Sequence, residues 1–350
     1  MLVVHLGALG AVLRSTALLP ALKRKHPHSR LVWLTDAPAQ FLLQGNPFID
    51  EVICSKDLQH HPLTALQYSS VYCIDKSLQA LRLCQEFQSQ RQFGFIEDPV
   101  SGGVLPATGA ARELWKIGLS DHMKFFENQK TEIQLVHEAL ELGAYLRENY
   151  VLQLSGLEQR ESDQRREGWK DASNQILVGL NVGCSTAIPY KKLSVSGHRE
   201  LVDSISKEFR DDVRVVLLGG REDQDRALEI AKGKDVVVSP MNLGLRDGLC
   251  SVNACDLILT GDSLGLHMGV ALKKWVVAWF GPTCAHEIDL YDRGVKILSQ
   301  APCGPCWKRV CEKELMCYDQ VSFDAMIDGI RRGLEWKFSS SKQPSPETCT

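Results

Sequence analysis

The 350-residue sequence has no run of about 18 consecutive apolar residues, so no helical span of a bilayer is expected. It has no charge excess either. Lys and Arg number 40 against 43 Asp and Glu, a net charge of −3, which leaves no bulk nucleic-acid footprint. No basic leader, apolar core of a signal or cleavage site precedes Leu2–Val3–Val4, and a cytoplasmic chain is expected. A complete Gly-x-Gly-x-x-Gly dinucleotide fingerprint is missing, as is a paired Cys–His nucleophile arrangement. What is plentiful is ordinary core material, 44% hydrophobic residues, enough for about two domains. The 12 cysteines sit in too large a chain to read as a secreted disulfide framework; reduced thiols or a metal site fit better.

The chain is organised around residues 257–267. Leu257–Ile258–Leu259–Thr260 reads as a buried strand, and Gly261–Asp262–Ser263 supplies turn and N-cap chemistry. Residues 264–272 then carry helix-period apolar positions. A strand, a polar turn and a helix start leave several backbone N–H groups unpaired at one spot, where the helix dipole favours a phosphate. An ordinary capped helix with a buried, satisfied His267 has the same signature. A second apolar run over residues 275–280 ends at Gly281–Pro282–Thr283 and completes a strand–helix–strand unit.

In chain order, residues 2–6 read as a first strand and Gly7–Ala8–Leu9–Gly10 as a tight turn. Helical spacing follows over residues 11–25, with Pro20 placed to interrupt it. Strands are predicted at 30–35, 51–54 and 70–74. Asp75 and Lys76 lie just past the last, on the edge where open α/β sheets bind ligands, although a solvated loop pair fits as well. Segments 92–96 and 102–106 read as irregular. Residues 161–174 crowd charges with few apolar positions and read as an exposed linker. Beyond them, strands at 176–181, 213–218 and 236–238 alternate with helices at 196–209, 221–232 and 245–254. The expected organisation is an N-terminal domain 1–160, the linker 161–174 and a C-terminal domain 175–320. A closing helix 321–338 and a disordered tail 339–350 follow. Both domains are α/β with mostly parallel sheets, and no internal repeat stands out.

Several pieces recur in a fixed order. They are Gly10–Ala11–Val12–Leu13, Lys23–Arg24–Lys25–His26–Pro27, residues 45–53, residues 180–186, Lys191, residues 217–222, Asn242–Leu243–Gly244, residues 261–267 and Phe280–Gly281–Pro282–Thr283. On these the chain resembles glycosyltransferase family 9, the bacterial heptosyltransferases of lipopolysaccharide core assembly, over roughly residues 1–335. The resemblance implies a GT-B fold, two Rossmann-like domains with parallel sheets facing across a cleft, the final helix returning towards the first. It implies inverting, metal-independent transfer of a heptose from an ADP-activated donor to a lipopolysaccharide inner-core acceptor. Ser263, Leu264 and Gly265 would offer backbone donors to the diphosphate, with Asp262 and His267 shaping the turn. Lys191 would neutralise a phosphate, unless its neighbour Lys192 is the matching lysine. Ser185 and Thr186 would bond phosphate oxygens, Glu222 would face hydroxyls and Met241 would frame the adenine. Gly10 and Lys76 would line the acceptor side. The implied partners are the nucleotide sugar and a lipid-linked oligosaccharide, with peripheral contact at the inner face of the cytoplasmic membrane and no nucleic acid.

The family pattern at the first turn is Gly-Asp, the aspartate acting as general base on the acceptor hydroxyl. Here Gly10 is followed by Ala11, which cannot take a proton. Such a base is typically worth about 10²–10⁴-fold in rate. Three explanations stay open: a substitute carboxylate, with Asp75 the candidate; a weak or inactive relative that still binds donor; or an engineered replacement. Finally, Cys303, Cys306, Cys311 and Cys317 form a C-x2-C-x4-C-x5-C run, similar to one in many family members. Its spacing admits a structural zinc or an iron–sulfur cluster, and equally reduced thiols or a labile disulfide in an irregular loop. No cofactor is expected for catalysis.

Overall fold

The computed structural model describes residues 1–340. They form two compact units, Met1–Ser155 with His286–Asp289, and Gly156–Ala285 with the residues from Leu290 onward.

The first unit is built on a six-stranded sheet in the spatial order Glu51–Cys54, Val32–Thr35, Leu2–Val4, Val71–Cys73, Gln92–Glu97, Val104–Pro106. The first five strands run parallel and the last is antiparallel to its neighbour. Counted along the sheet the order is 3-2-1-4-5-6, the doubly wound arrangement. The last two strands correct the expectation of irregular chain at 92–96 and 102–106. Phe93 and Phe95 are buried, and Gly94 breaks the visible alternation because it alone fits there. Its φ is +86°, and a Cβ would stand 2.0 Å from the Cys73 carbonyl oxygen. The helical stretch after the first turn is divided as Pro20 predicts: Leu9–Ser15 is α-helical, Thr16–Leu18 is a 3-10 turn, and Leu19–Lys25 is α-helical with Pro20 in its first turn.

The second unit repeats the order 3-2-1-4-5-6 with Val237–Val238, Val213–Leu218, Ile176–Asn181, Leu257–Gly261, Trp275–Phe280 and Gly294–Leu298, all parallel. Strands covered on both faces read as unbroken apolar runs, and Val178, Leu180, Leu217, Leu259 and Val277 are buried here. Leu201 and Ile205 of helix Val195–Phe209 join the same core.

Two organisational expectations change. The charged stretch at 161–174 is not a linker for most of its length: Gly156–Gly168 is a helix packed on helix Leu245–Ala254. Its charges have partners on that helix and just beyond its end. Arg165 bonds Asp247 and the Ser251 hydroxyl, Arg166 reaches Asp256, and Arg246 pairs with Glu158. Few apolar residues were needed because ion pairs and the arginine stems do the packing. The closing helix, Phe323–Ser340, packs on the second unit's own sheet through Met326 and Ile330, with Trp275 Nε1 donating to the Gly329 carbonyl at 3.0 Å. Ser339, expected in the tail, belongs to this helix; residues 341–350 lie outside the described residues.

Candidate active site

In the second unit the strand order reverses between Ile176–Asn181 and Leu257–Gly261, and such sheets bind ligands at the carboxyl edge of that gap. The two strand ends are tied together there. Asn181 Nδ2 donates to Ser263 Oγ at 3.0 Å and to the Gly183 carbonyl at 2.7 Å, and Thr260 Oγ1 lies 3.1 Å from Ser263 Oγ. Ser263 is the N-cap of helix Leu264–Ala271, yet its side chain makes no capping bond because it is engaged with Asn181. The first-turn amides are therefore not closed off by the serine. Gly265 is required for this close approach, since a Cβ would stand 2.8 Å from Asn181 Cγ.

Beneath the turn, Asp262 is buried and pairs with Lys191 at 3.1 Å. Burial pushes its carboxyl up, but the Lys191 and His267 charges win and hold it below the usual carboxylate range. Trp279 Nε1 donates to the Lys191 carbonyl at 3.0 Å, and Gly261 makes room, for a Cβ would come within 1.9 Å of that oxygen. Lys191 Nζ also stands 5.6 Å from the Trp307 ring centroid. The two adjacent lysines separate cleanly. Lys191 faces Asp262, while Lys192 lies 3.8 Å from Asp223, a buried carboxylate that also accepts the Gly220 amide. Asp223 was missed in the sequence beside Glu222, yet it is the buried one of the pair and Glu222 is exposed. Gly183 passes so near that a Cβ would stand 1.8 Å from Asp223 Oδ2. Met241 is buried against Gly219, at the carboxyl end of Val213–Leu218. His267 is buried, and Ser185 and Thr186 are exposed on the loop after Asn181, the Ser185 hydroxyl accepting the Ala187 amide.

The first unit has its own reversal point, between Leu2–Val4 and Val71–Cys73. Gly10 and Ala11 lie half-buried in the first turns of helix Leu9–Ser15. Asp75 Oδ2 accepts the Leu6 amide at 3.0 Å and Oδ1 accepts the Ser77 amide at 2.8 Å, so this carboxylate clips two strand ends together. Lys76 Nζ sits 5.2 Å from the Phe95 ring centroid and reaches the Leu114 carbonyl. Arg14, one helical turn on from Ala11, pairs with Glu132.

Residues 110–317, more than half of the chain, match the family model described as glycosyltransferase family 9 (heptosyltransferase). The chain belongs to glycosyltransferase family 9. Solved structures with the same fold include a glycosyl transferase family 9 protein from Veillonella parvula, at 17% identity, TM-score 0.75, covering 96% of this chain and 97% of that one. E. coli ADP-heptose lipopolysaccharide heptosyltransferase II follows at 17% identity and TM-score 0.66, with 96% and 98% covered. E. coli heptosyltransferase WaaC, solved with ADP, has 14% identity and TM-score 0.64, with 95% and 99% covered. No curated protein sequence matches significantly. The fold is thus GT-B, and the protein is a glycosyltransferase.

In this family 9 transferase the four clustered cysteines, Cys303, Cys306, Cys311 and Cys317, line one cavity of about 20 Å³, together with Tyr190 and Gly281. All are free thiols. Burial and then the neighbouring thiols push Cys317 up to about 11. Tyr190 Oη accepts the Cys311 amide at 3.1 Å, so this loop is fastened beside the segment that carries Lys191.

Proposed function

We propose that the transferase moves a heptose from ADP-heptose to a lipopolysaccharide inner-core acceptor, inverting the anomeric centre without a metal ion at the diphosphate. One observation carries this: the head of helix Leu264–Ala271 stands at the reversal point of the sheet with Lys191 fixed beside it by Asp262. As the sugar–oxygen bond breaks, negative charge grows on the departing diphosphate. The Leu264 and Gly265 amides, the helix dipole and the Lys191 ammonium offer that charge fixed, partly dry partners. Ser185 and Thr186 add hydroxyl donors, Glu222 takes up hydroxyls of the ribose or sugar, and Met241 packs against the base. Likeness to transferases described as ADP-heptose-dependent or holding ADP supports this choice of nucleotide.

The first unit takes the acceptor, an anionic lipid-linked oligosaccharide, with Gly10 and Lys76 along its site. No helix of the described residues is long and apolar enough to cross a membrane, and a peripheral contact at the inner face of the cytoplasmic membrane brings the acceptor within reach. The four-cysteine cavity holds a single structural metal ion, zinc or iron, beside the segment that carries Lys191. Thiol ligands of zinc stand about 2.3 Å from the ion, and no three of these four sulfurs lie within 4.8 Å of one another, so holding an ion requires the loop to draw in. A screen of ADP-, UDP- and GDP-sugars by calorimetric binding and nucleotide release tests the assignment. ADP-heptose should lead; preference for a UDP or GDP sugar rejects the donor while leaving the family membership intact.

A further inference from the structure

The position at which the family carries its aspartate base holds Ala11, and Asp75 has both carboxylate oxygens committed to backbone amides. A further proton acceptor stands at the same spot. His5 follows the first strand directly, at the carboxyl edge of the reversal point, and it is 6% exposed. Its Nδ1 has no hydrogen-bond partner among the described residues. Its Nε2 edge is turned to Gly7: a Cβ on Gly7 would stand 2.9 Å from that nitrogen and 3.8 Å from Ala11 Cβ. Gly7 thus stands between the Nε2 edge of the imidazole and the Ala11 methyl, and it brings no side chain to cover either. A larger residue at 7 would cover the ring, and a carboxylate at 11 would compete for its place. The groups acting on His5 are Asp75, Glu132 and Arg14. Burial holds the ring neutral, with its proton affinity lowered to about 4, a carboxylate-like value, against the upward pull of Asp75 and Glu132.

We propose that His5 replaces the family's aspartate as the general base, Nε2 taking the proton of the acceptor hydroxyl. This rests on the glycosyl-transfer reading above. The acceptor oxygen forms its bond to the anomeric carbon as the carbon–oxygen bond to the diphosphate breaks. The acceptor proton goes to His5, and the bonding pair leaves on the nucleoside diphosphate. Asp75 and Glu132 stabilise the imidazolium that results, and it returns its proton to water after the product departs. The base has moved six residues along the chain while staying at one place in the fold.

The test compares His5→Asn, His5→Gln and His5→Asn/Ala11→Asp with the wild type, using ADP-heptose and a delipidated inner-core oligosaccharide, and reading released ADP. Binding of ADP alone is measured on each variant, since it reports the second unit. Loss of kcat by about 10² or more in both single variants, with ADP affinity and donor KM unchanged, is expected. Return of at least a tenth of wild-type turnover in the double variant is expected too, because a carboxylate at 11 reaches the same space. A merely structural histidine would not be rescued by Ala11→Asp, so a dead double variant that still binds ADP overturns the proposal. Turnover within threefold of wild type in either folded single variant also overturns it, and leaves the transferase reading standing. A wild type that fails to bind ADP at all rejects the ADP-heptose donor on which this assay and the His5 proposal rest, and leaves the family membership intact.

Discussion

Replacing Asp262 by Asn should separate the two parts of the donor turn. The Asp262 and Lys191 side chains are 11% and 18% exposed and 3.1 Å apart. Breaking a fully buried pair by removing one partner costs about 3–5 kcal/mol, because the other charge is left uncompensated. The residual exposure of Lys191 lets some water in, which puts the expected loss near the lower end, about 2–3 kcal/mol. For a unit of this size 1 kcal/mol moves Tm by about 2–4 °C, so a fall of about 5–10 °C is expected. The carboxyl is held below its ordinary range in the folded chain, after burial is overcome by Lys191 and His267. Its contribution is therefore complete above the unfolded carboxylate value of about 3.9, and it drains away as pH falls through the lower folded value. Denaturant titrations of wild type and Asp262→Asn from pH 7 down to 3 read both effects. The gap should be widest at neutral pH and close on acidification. Adding Lys191→Met should recover part of the loss, since neither charge is then orphaned. A gap under about 0.5 kcal/mol at pH 7, or one unchanged down to pH 3, would show that the pair is not a buried, coupled one.

Other changes probe other elements. Gly265→Ala puts a Cβ 2.8 Å from Asn181 Cγ and should shift the helix head, weakening ADP binding about tenfold by calorimetry; a loss under twofold removes the helix head from the donor site. Arg165→Ala deprives Asp247, Glu161 and the buried Ser251 of their partner. It should cost about 2–4 kcal/mol in urea unfolding, and a neutral result would return this helix to the role of a loose tether. Elemental analysis of anaerobically purified protein should find one zinc or iron per chain, lost together when Cys306 and Cys311 are changed to serine. Clearly substoichiometric metal leaves the cysteines as packed thiols.

Much of the second unit was decided by local sequence. Ile176–Asn181, Val213–Leu218, Leu245–Ala254 and Trp275–Phe280 run between the residues that pattern alone marks. A strand covered on both faces must be apolar throughout, and that is visible without knowing its neighbours. The turn Gly261–Asp262–Ser263 was readable for the same reason, since glycine, cap residue and helix period lie side by side. Ala11 was readable too, as a missing carboxylate in a resembling motif.

Tertiary structure decided whatever depended on a partner far along the chain. Phe93–Gly94–Phe95 became a strand only because Gly94 slides past the Cys73 carbonyl. The charged helix Gly156–Gly168 formed because its Arg165 and Glu158 meet Asp247 and Arg246 on another helix. Which of two adjacent lysines faces Asp262, and that Asp75 is spent on the amides of Leu6 and Ser77, are matters of direction rather than residue type. The two sheets share one strand order although their sequences show no repeat, because crossover handedness and burial constrain topology more than side-chain identity. His5 was not singled out in the sequence, being one residue of the predicted strand 2–6; its nearness to Gly7 and Ala11 exists only once the turn between them has folded back.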